Sequence, residues 1–251
     1  MSLGEAFLVL AAGLLAGTIN TIVGSGTLVT FSTLLALGYD PVVANVSNTI
    51  GLVPGSLSGA VGYRRELRGQ RRRLLRLGPA AAVGGLVGGG LLLVLPENAF
   101  DAIVPVLIGL GCLLVAAQPW INRRLGRDGD DTVPSRGGLL LLWLIFATGI
   151  YGGYFGAAQG VLMMAIMGLL LDENLQRLNA VKNVLALLVN GVAAIVFVLL
   201  ADPDWAAVGL IALGATVGGQ IGATVGRRLH PAALRAFIVV VGVLAIWRLL
   251  A

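Results

Sequence analysis

The chain has one lysine, one cysteine and one histidine, and only 12% of its 251 residues are charged. A soluble domain of this length carries about twice that charge, so a water-exposed globule is excluded. The single cysteine, Cys112, lies inside an apolar run. It cannot form a disulfide within the chain and argues against a thiolate metal site. His230 has no second His or Cys at ligand spacing, which argues against zinc. All twelve Asp and Glu fall in loops or at the ends of apolar runs. Paired catalytic acids are therefore missing, as is the intramembrane carboxylate that a cation transporter would want. No metal or cofactor is expected.

What is abundant is apolar: 57% of residues are hydrophobic and the mean hydropathy is +0.94. Runs of about 18 residues or more, the length that crosses a bilayer, recur along the chain. Residues 5–37 are too long for one crossing and are interrupted at Gly24-Ser25-Gly26. They read as a helix over 5–22, a break, and a short helix over 27–37. Spans follow at 41–62, 77–95 and 99–118, with an arginine loop at 64–76. A polar linker occupies 119–137. The pattern then restarts: a helix over 138–155, a break at 156–160, a short helix over 161–171, and spans at 175–200, 206–226 and 232–250. The first segment lacks a basic leader and a cleavage site, so it reads as a retained helix.

The restart keeps register. Asn45 and Asn179, Gly84 and Gly218, and Gly88 and Gly222 are each 134 residues apart, while Gly17 and Gly149, and Gly24 and Gly156, are 132 apart. An offset of 134 held constant across two spans marks an internal repeat. Residues 1–118 and 138–251 are the two predicted units, joined by the linker 119–137. Seven Arg against one Glu in 64–76 put that loop in the cytoplasm, and the Arg residues of the linker put it there too. If each broken segment enters and returns to the same side, the halves are inverted. If each crosses once, they are parallel. The expected fold is thus an all-α polytopic membrane protein with two inverted repeats, each a broken-helix hairpin plus three transmembrane helices. The net charge of +5 comes mostly from the arginine loop, so it signals orientation and contact with anionic lipid, not nucleic acid.

Lys182, the only lysine, sits inside a predicted span in Asn179-Ala-Val-Lys182-Asn183. A cation there costs several kcal/mol unless it is used. Asn45-Val-Ser-Asn48-Thr49 occupies the matched place in the first half. Spacings of three and four put each set on one helix face, continued by Ser56 and by Asn190. Both clusters are expected near mid-membrane. A buried cation without a carboxylate wants an anionic ligand. The bland reading is that Lys182 snorkels to headgroups and the Asn residues only join helices. The glycine breaks add a second signal. Helix starts at Ser25-Gly26-Thr27 and Ala158-Gln159-Gly160 would direct N–H groups and positive dipole ends at an anion; the bland reading is a hinge. Gln220 is a further pore-lining candidate.

The stretch Gly17-Thr-Ile-Asn20-Thr-Ile-Val-Gly24-Ser25-Gly26-Thr27-Leu28, followed by Leu37-Gly38-Tyr-Asp-Pro41-Val-Val-Ala-Asn45-Val-Ser-Asn48-Thr49, resembles the sulfite exporter TauE/SafE (TSUP) family. Residues 149–183 resemble that family's repeat. Ser25 stands where the family often has a further glycine. The resemblance implies a secondary transporter of the cytoplasmic (inner) membrane that carries sulfur-containing anions such as sulfite, thiosulfate or organosulfonates, with export as the expected direction. Anion-binding candidates are Asn20, Ser25, Gly26, Thr27, Asn45, Asn48, Thr49, Gln159, Gly160, Asn179, Lys182, Asn183 and Asn190. Alternatives are a carrier or channel for another small anion or a carboxylate, a scaffold, or a membrane-embedded hydrolase. The scaffold would not need two buried polar clusters, and the hydrolase would need a base near Ser25. Expected partners are the anion, membrane lipids and, as an open question, a second copy in a homodimer.

Overall fold

The computed structural model describes residues 1–95 and 138–224, with parts of 105–120 and 236–247. The expected linker 119–137 lies outside the described residues except for Trp120, as does His230. Among the described residues all regular structure is helical: α1 Leu3–Ile22, α2 Thr27–Ala36, α3 Pro41–Gly62, α4 Arg71–Val94, α5 Leu139–Tyr154, α6 Gln159–Leu170, α7 Leu175–Leu200 and α8 Trp205–Thr224. Helices α1, α4, α7 and α8 are long and apolar enough to cross a membrane. Many of their outward side chains are apolar and exposed, Phe7, Val94, Leu199 and Leu213 among them, as a lipid-facing surface would be.

Local chemistry sets the helix starts. Ser2 and Glu5 form a capping box on α1. Asp40 accepts from the Val42 and Val43 amides ahead of Pro41 at the first position of α3, and Asn174 accepts from Gln176 at the start of α7. Helix α4 begins six residues before the expected span. Its first turn is Arg71-Arg72-Arg73, because arginine is a good helix former and the apolar run gives the helix somewhere to pack.

Both breaks turn the chain back on itself. Gly24 and Gly156 have φ of 91° and 76°, a conformation glycine adopts without strain, and the non-glycine Ala158 also has a positive φ, 58°. Gly26 comes to rest against Ala16, and the Gln159 side chain lies on Gly152. So α1–α2 and α5–α6 are hairpins.

The small-residue faces make close helix contacts that fix direction. Gly13 lies on Ile211 and Gly17 on Ala215, so α1 and α8 are parallel; Gly55 on Ala215 and Gly62 on Ala223 align α3 with them. Gly84 meets Gly149 and Gly88 meets Tyr154, while Gly85 meets Val189 and Gly89 meets Ala193, so α4, α5 and α7 are mutually parallel. Ser47, early in α3, accepts from the Asp204 amide just beyond α7, and Tyr63 just after α3 clusters with Ala180 near the start of α7. Helices α3 and α7 are therefore antiparallel. Each half's fourth helix packs against the other half's first.

Two polar contacts tie the ends of the bundle. Beside the α4 start, Glu173 accepts from Gln70 Nε2 at 3.1 Å and pairs with Arg73 at 3.1 Å and Arg177 at 2.9 Å. At the other end the Tyr39 hydroxyl donates to Asp204 Oδ2 at 3.0 Å.

Candidate functional site

A helix that stops inside a protein leaves its last carbonyls without partners. At the end of α1, Ile19 O accepts from the Val23 and Gly24 amides. The next two carbonyls are satisfied from α7. Lys182 Nζ donates to Asn20 O at 2.8 Å and to Thr21 O at 3.4 Å. Asn179 Nδ2 and Asn183 Nδ2 also reach Thr21 O, at 3.1 and 3.4 Å. The matched arrangement closes α5: Tyr151 O accepts from the Phe155 and Gly156 amides, and Asn45 Nδ2 donates to Tyr154 O at 2.8 Å.

The two Asn clusters therefore sit on antiparallel helices, and each caps the other half's broken helix. Lys182 does not snorkel: its residue is 1% exposed. Its first counter-charge is the carbonyl end of α1, which carries only about half an elementary charge. Positive charge is left over on the side facing the break.

That side is a cavity where the two breaks touch. Gly160 N–H donates to Gly24 O at 3.0 Å, and a side chain at Gly160 would collide with Gly24 and crowd Lys182 Cδ at 3.0 Å. Of the expected residues, Asn20, Thr27, Gln159, Gly160, Lys182, Asn183 and Asn190 line this cavity. Asn45, Asn48, Thr49, Ser25, Gly26 and Asn179 do not, though all six are buried. Asn48 Oδ1 instead accepts from Thr30. Gln220 is also elsewhere, tying α8 to Ser58 O at 2.8 Å. Sequence reasoning did not propose Thr21, Gly24, Gly156 or Ala186 as cavity residues, and placed Ser56 only on the face of α3 that continues Asn45; all five line it. Repeat register carried the signal for some of them: Ser56 is the counterpart of Asn190, and Gly24 of Gly156.

The helix starts offer fewer free donors than expected. Gly26 N–H donates to Asn20 Oδ1 at 2.6 Å, and Gly160 N–H is taken by Gly24 O. What stays unpartnered in the lining is Gln159 Nε2, on a residue 4% exposed. The cavity itself is about 20 Å³, room for about one water. The structure holds the site closed. Among the described residues no carboxylate lines it, so the described lining presents an ammonium and amide donors to whatever enters. Ser25 Oγ is buried without a hydrogen-bond partner.

Residues 9–249 match the profile of the family described as sulfite exporter TauE/SafE. The chain belongs to that family. It is 26% identical over 246 residues to the probable membrane transporter protein ORF9 of Sinorhizobium sp., covering 98% of this chain and 92% of that protein. It is 29% identical over 220 residues to the probable membrane transporter protein YfcA of Escherichia coli K12, covering 86% and 77%. A probable membrane transporter protein of Haemophilus influenzae is 25% identical over 230 residues, covering 91% and 88%.

Proposed function

We propose that this family member is a secondary transporter that exports a small sulfur-containing anion, such as sulfite, thiosulfate or an organosulfonate, across the cytoplasmic membrane. The observation that carries the reading is Lys182: a buried ammonium held by backbone carbonyls, facing a cavity with Gln159 Nε2 unsatisfied and no carboxylate among its described lining residues. A tetrahedral or pyramidal oxyanion supplies the missing charge and accepts from both groups. The family description and the transporter names of the relatives support the same class over an enzyme.

The units 1–118 and 138–251 act as inverted repeats, a reading supported by the opposed directions of α3 and α7 and by the hairpin form of both breaks. With the arginine end in the cytoplasm, the anion is reached when the halves rock apart at one end and then the other. No carboxylate or His is among the described residues that line the closed site, and we assign no protein-borne proton carrier. Export of an anion from a negative-inside cell is favoured by about 2.3 kcal/mol per charge per 100 mV.

The test is binding and flux. Purified protein is screened by thermal shift against sulfite, thiosulfate, sulfate, sulfoacetate and taurine, then reconstituted and assayed under an imposed potential without a pH gradient. Saturable flux that follows the potential and needs Lys182 is the expected result. Flux that ignores the potential and follows a pH gradient, for an anion of constant charge, contradicts the coupling. Unchanged anion affinity in folded Lys182→Ala removes Lys182 from the site.

A further inference from the structure

A second cavity, of about 340 Å³, opens at the end of the bundle where α4, α5 and α7 begin. It shares no residue with the closed site at the breaks. Four arginines line it, Arg72, Arg73, Arg76 and Arg177, against one carboxylate, Glu173. Among the described lining residues arginines thus outnumber carboxylates four to one. Glu173 contacts Arg73 and Arg177 directly, and its own carboxyl is held below the usual carboxylate range. Burial works against that lowering; the Arg73, Asn174 and Gln70 hydrogen bonds and the nearby Arg177 charge outweigh it. Arg72 is exposed.

Part of the lining is apolar: Leu77, Leu141 and Leu171 contribute, each at most 4% exposed. Just along α5, Leu140 and Trp143 are 60% and 67% exposed. An exposed Trp beside outward leucines, one turn from a helix start, marks the level where apolar slab meets headgroups. The cavity therefore combines guanidinium groups, which grip phosphate bidentately, with a leucine wall, at headgroup depth. A small inorganic oxyanion would fill only a corner of it, since one water takes about 30 Å³.

We propose that this cavity binds the phosphate headgroup of an anionic phospholipid, with the first carbons of the lipid against the leucine wall. The site staples the α3–α4 connection to the α6–α7 connection, so bound lipid stabilises the contact that Glu173 makes between the halves. The proposal does not depend on which anion is transported.

The experiment uses the full chain in a neutral detergent. Melting is followed with added phosphatidylglycerol, phosphatidylcholine, glycerol 3-phosphate or inorganic phosphate, and bound lipids are counted by native mass spectrometry. Phosphatidylglycerol should raise Tm by about 5 °C near saturation, phosphatidylcholine should do little, and the soluble phosphates should do little. Arg72→Gln/Arg76→Gln should lose at least half of that shift and the retained lipid adduct, while melting like wild type in phosphatidylcholine. Equal effects of the two lipids overturn the proposal. An equal shift from soluble phosphate overturns the lipid assignment in favour of a free anion. A full phosphatidylglycerol shift in the double variant overturns the location. The lipid comparison on wild-type protein decides the chemistry even if the double variant does not fold.

Discussion

The two ends of the bundle are built from the same positions and differ in charge. Tyr39 and Glu173 are 134 residues apart, and so are their partners Asp204 and Gln70. Each pair joins a loop of one half to the start of a helix in the other. One end uses a neutral donor on a carboxylate; the other uses a carboxylate gripped by an amide and two arginines. The same holds deeper in. Asn45 and Asn179 cap opposite broken helices, but where the first half has Asn48 the second has Lys182. The repeated positions hold the scaffold together, and the chemistry lies in the places where the halves stop matching.

Swapping the unmatched residues should have the largest effect. Lys182→Asn gives the second half the first half's residue. It should reduce anion flux at least about tenfold, equivalent to about 1.4 kcal/mol, in protein that still elutes as one species. The mirror change, Asn48→Lys, places a buried cation against Thr30. It should destabilise by about 3–5 kcal/mol, read as loss of folded yield or a large drop in Tm.

The caps should respond unequally. Thr21 O keeps two other donors when Asn179 is lost, so Asn179→Leu should cost no more than about 1 kcal/mol. Asn45→Leu removes the shorter bond, 2.8 Å, and should cost about 1–3 kcal/mol. Equal losses by thermal unfolding would show that the extra donors on Thr21 O contribute nothing.

The end contacts are more exposed and weaker. Tyr39→Phe and Glu173→Gln should each lower Tm by about 2–4 °C, the equivalent of about 1 kcal/mol or less. Acidification should weaken both contacts. Glu173 and Asp204 both have lowered carboxyl pKa values: Glu173 despite its burial, through its arginine, amide and backbone donors; Asp204 through the Ala207 amide first, then, against burial, Tyr39. A lowered folded value means stability that is present above the unfolded value of about 4 and lost as pH falls through the folded one. The Tm gap between wild type and Glu173→Gln should hold from pH 7 to 5 and close below about pH 4. A gap that instead closes between pH 7 and 5 would rule out Glu173 as its source.

Much of this was legible in the chain. Helix α7 begins and ends at the expected residues, and the breaks fall at the expected glycines, because apolar runs, caps and Gly24 or Gly156 are local signals. The α4 start was missed because a run of arginines looks like a loop to a hydropathy reading, though arginine forms helix well. The site was only half legible. Sequence marks Lys182 as costly but cannot show what receives it, since Asn20 O and Thr21 O are backbone atoms that no side-chain pattern reveals. Asn45 and Asn48 carry the same polar pattern as Asn179 and Lys182, but their side chains are used on Tyr154 O and Thr30 and do not line the cavity.

The contact of α1 with α8 spans nearly the whole chain: the Thr18 hydroxyl donates to Gly218 O, 200 residues away. During synthesis the first helix enters the membrane with its glycine seam bare and waits for the rest of the chain to be made. Neither half finishes its own packing, so each serves as the other's folding template. A chain cut between residues 118 and 138 should thus yield nothing stable from either piece alone, and assembled protein when both pieces are made in one cell.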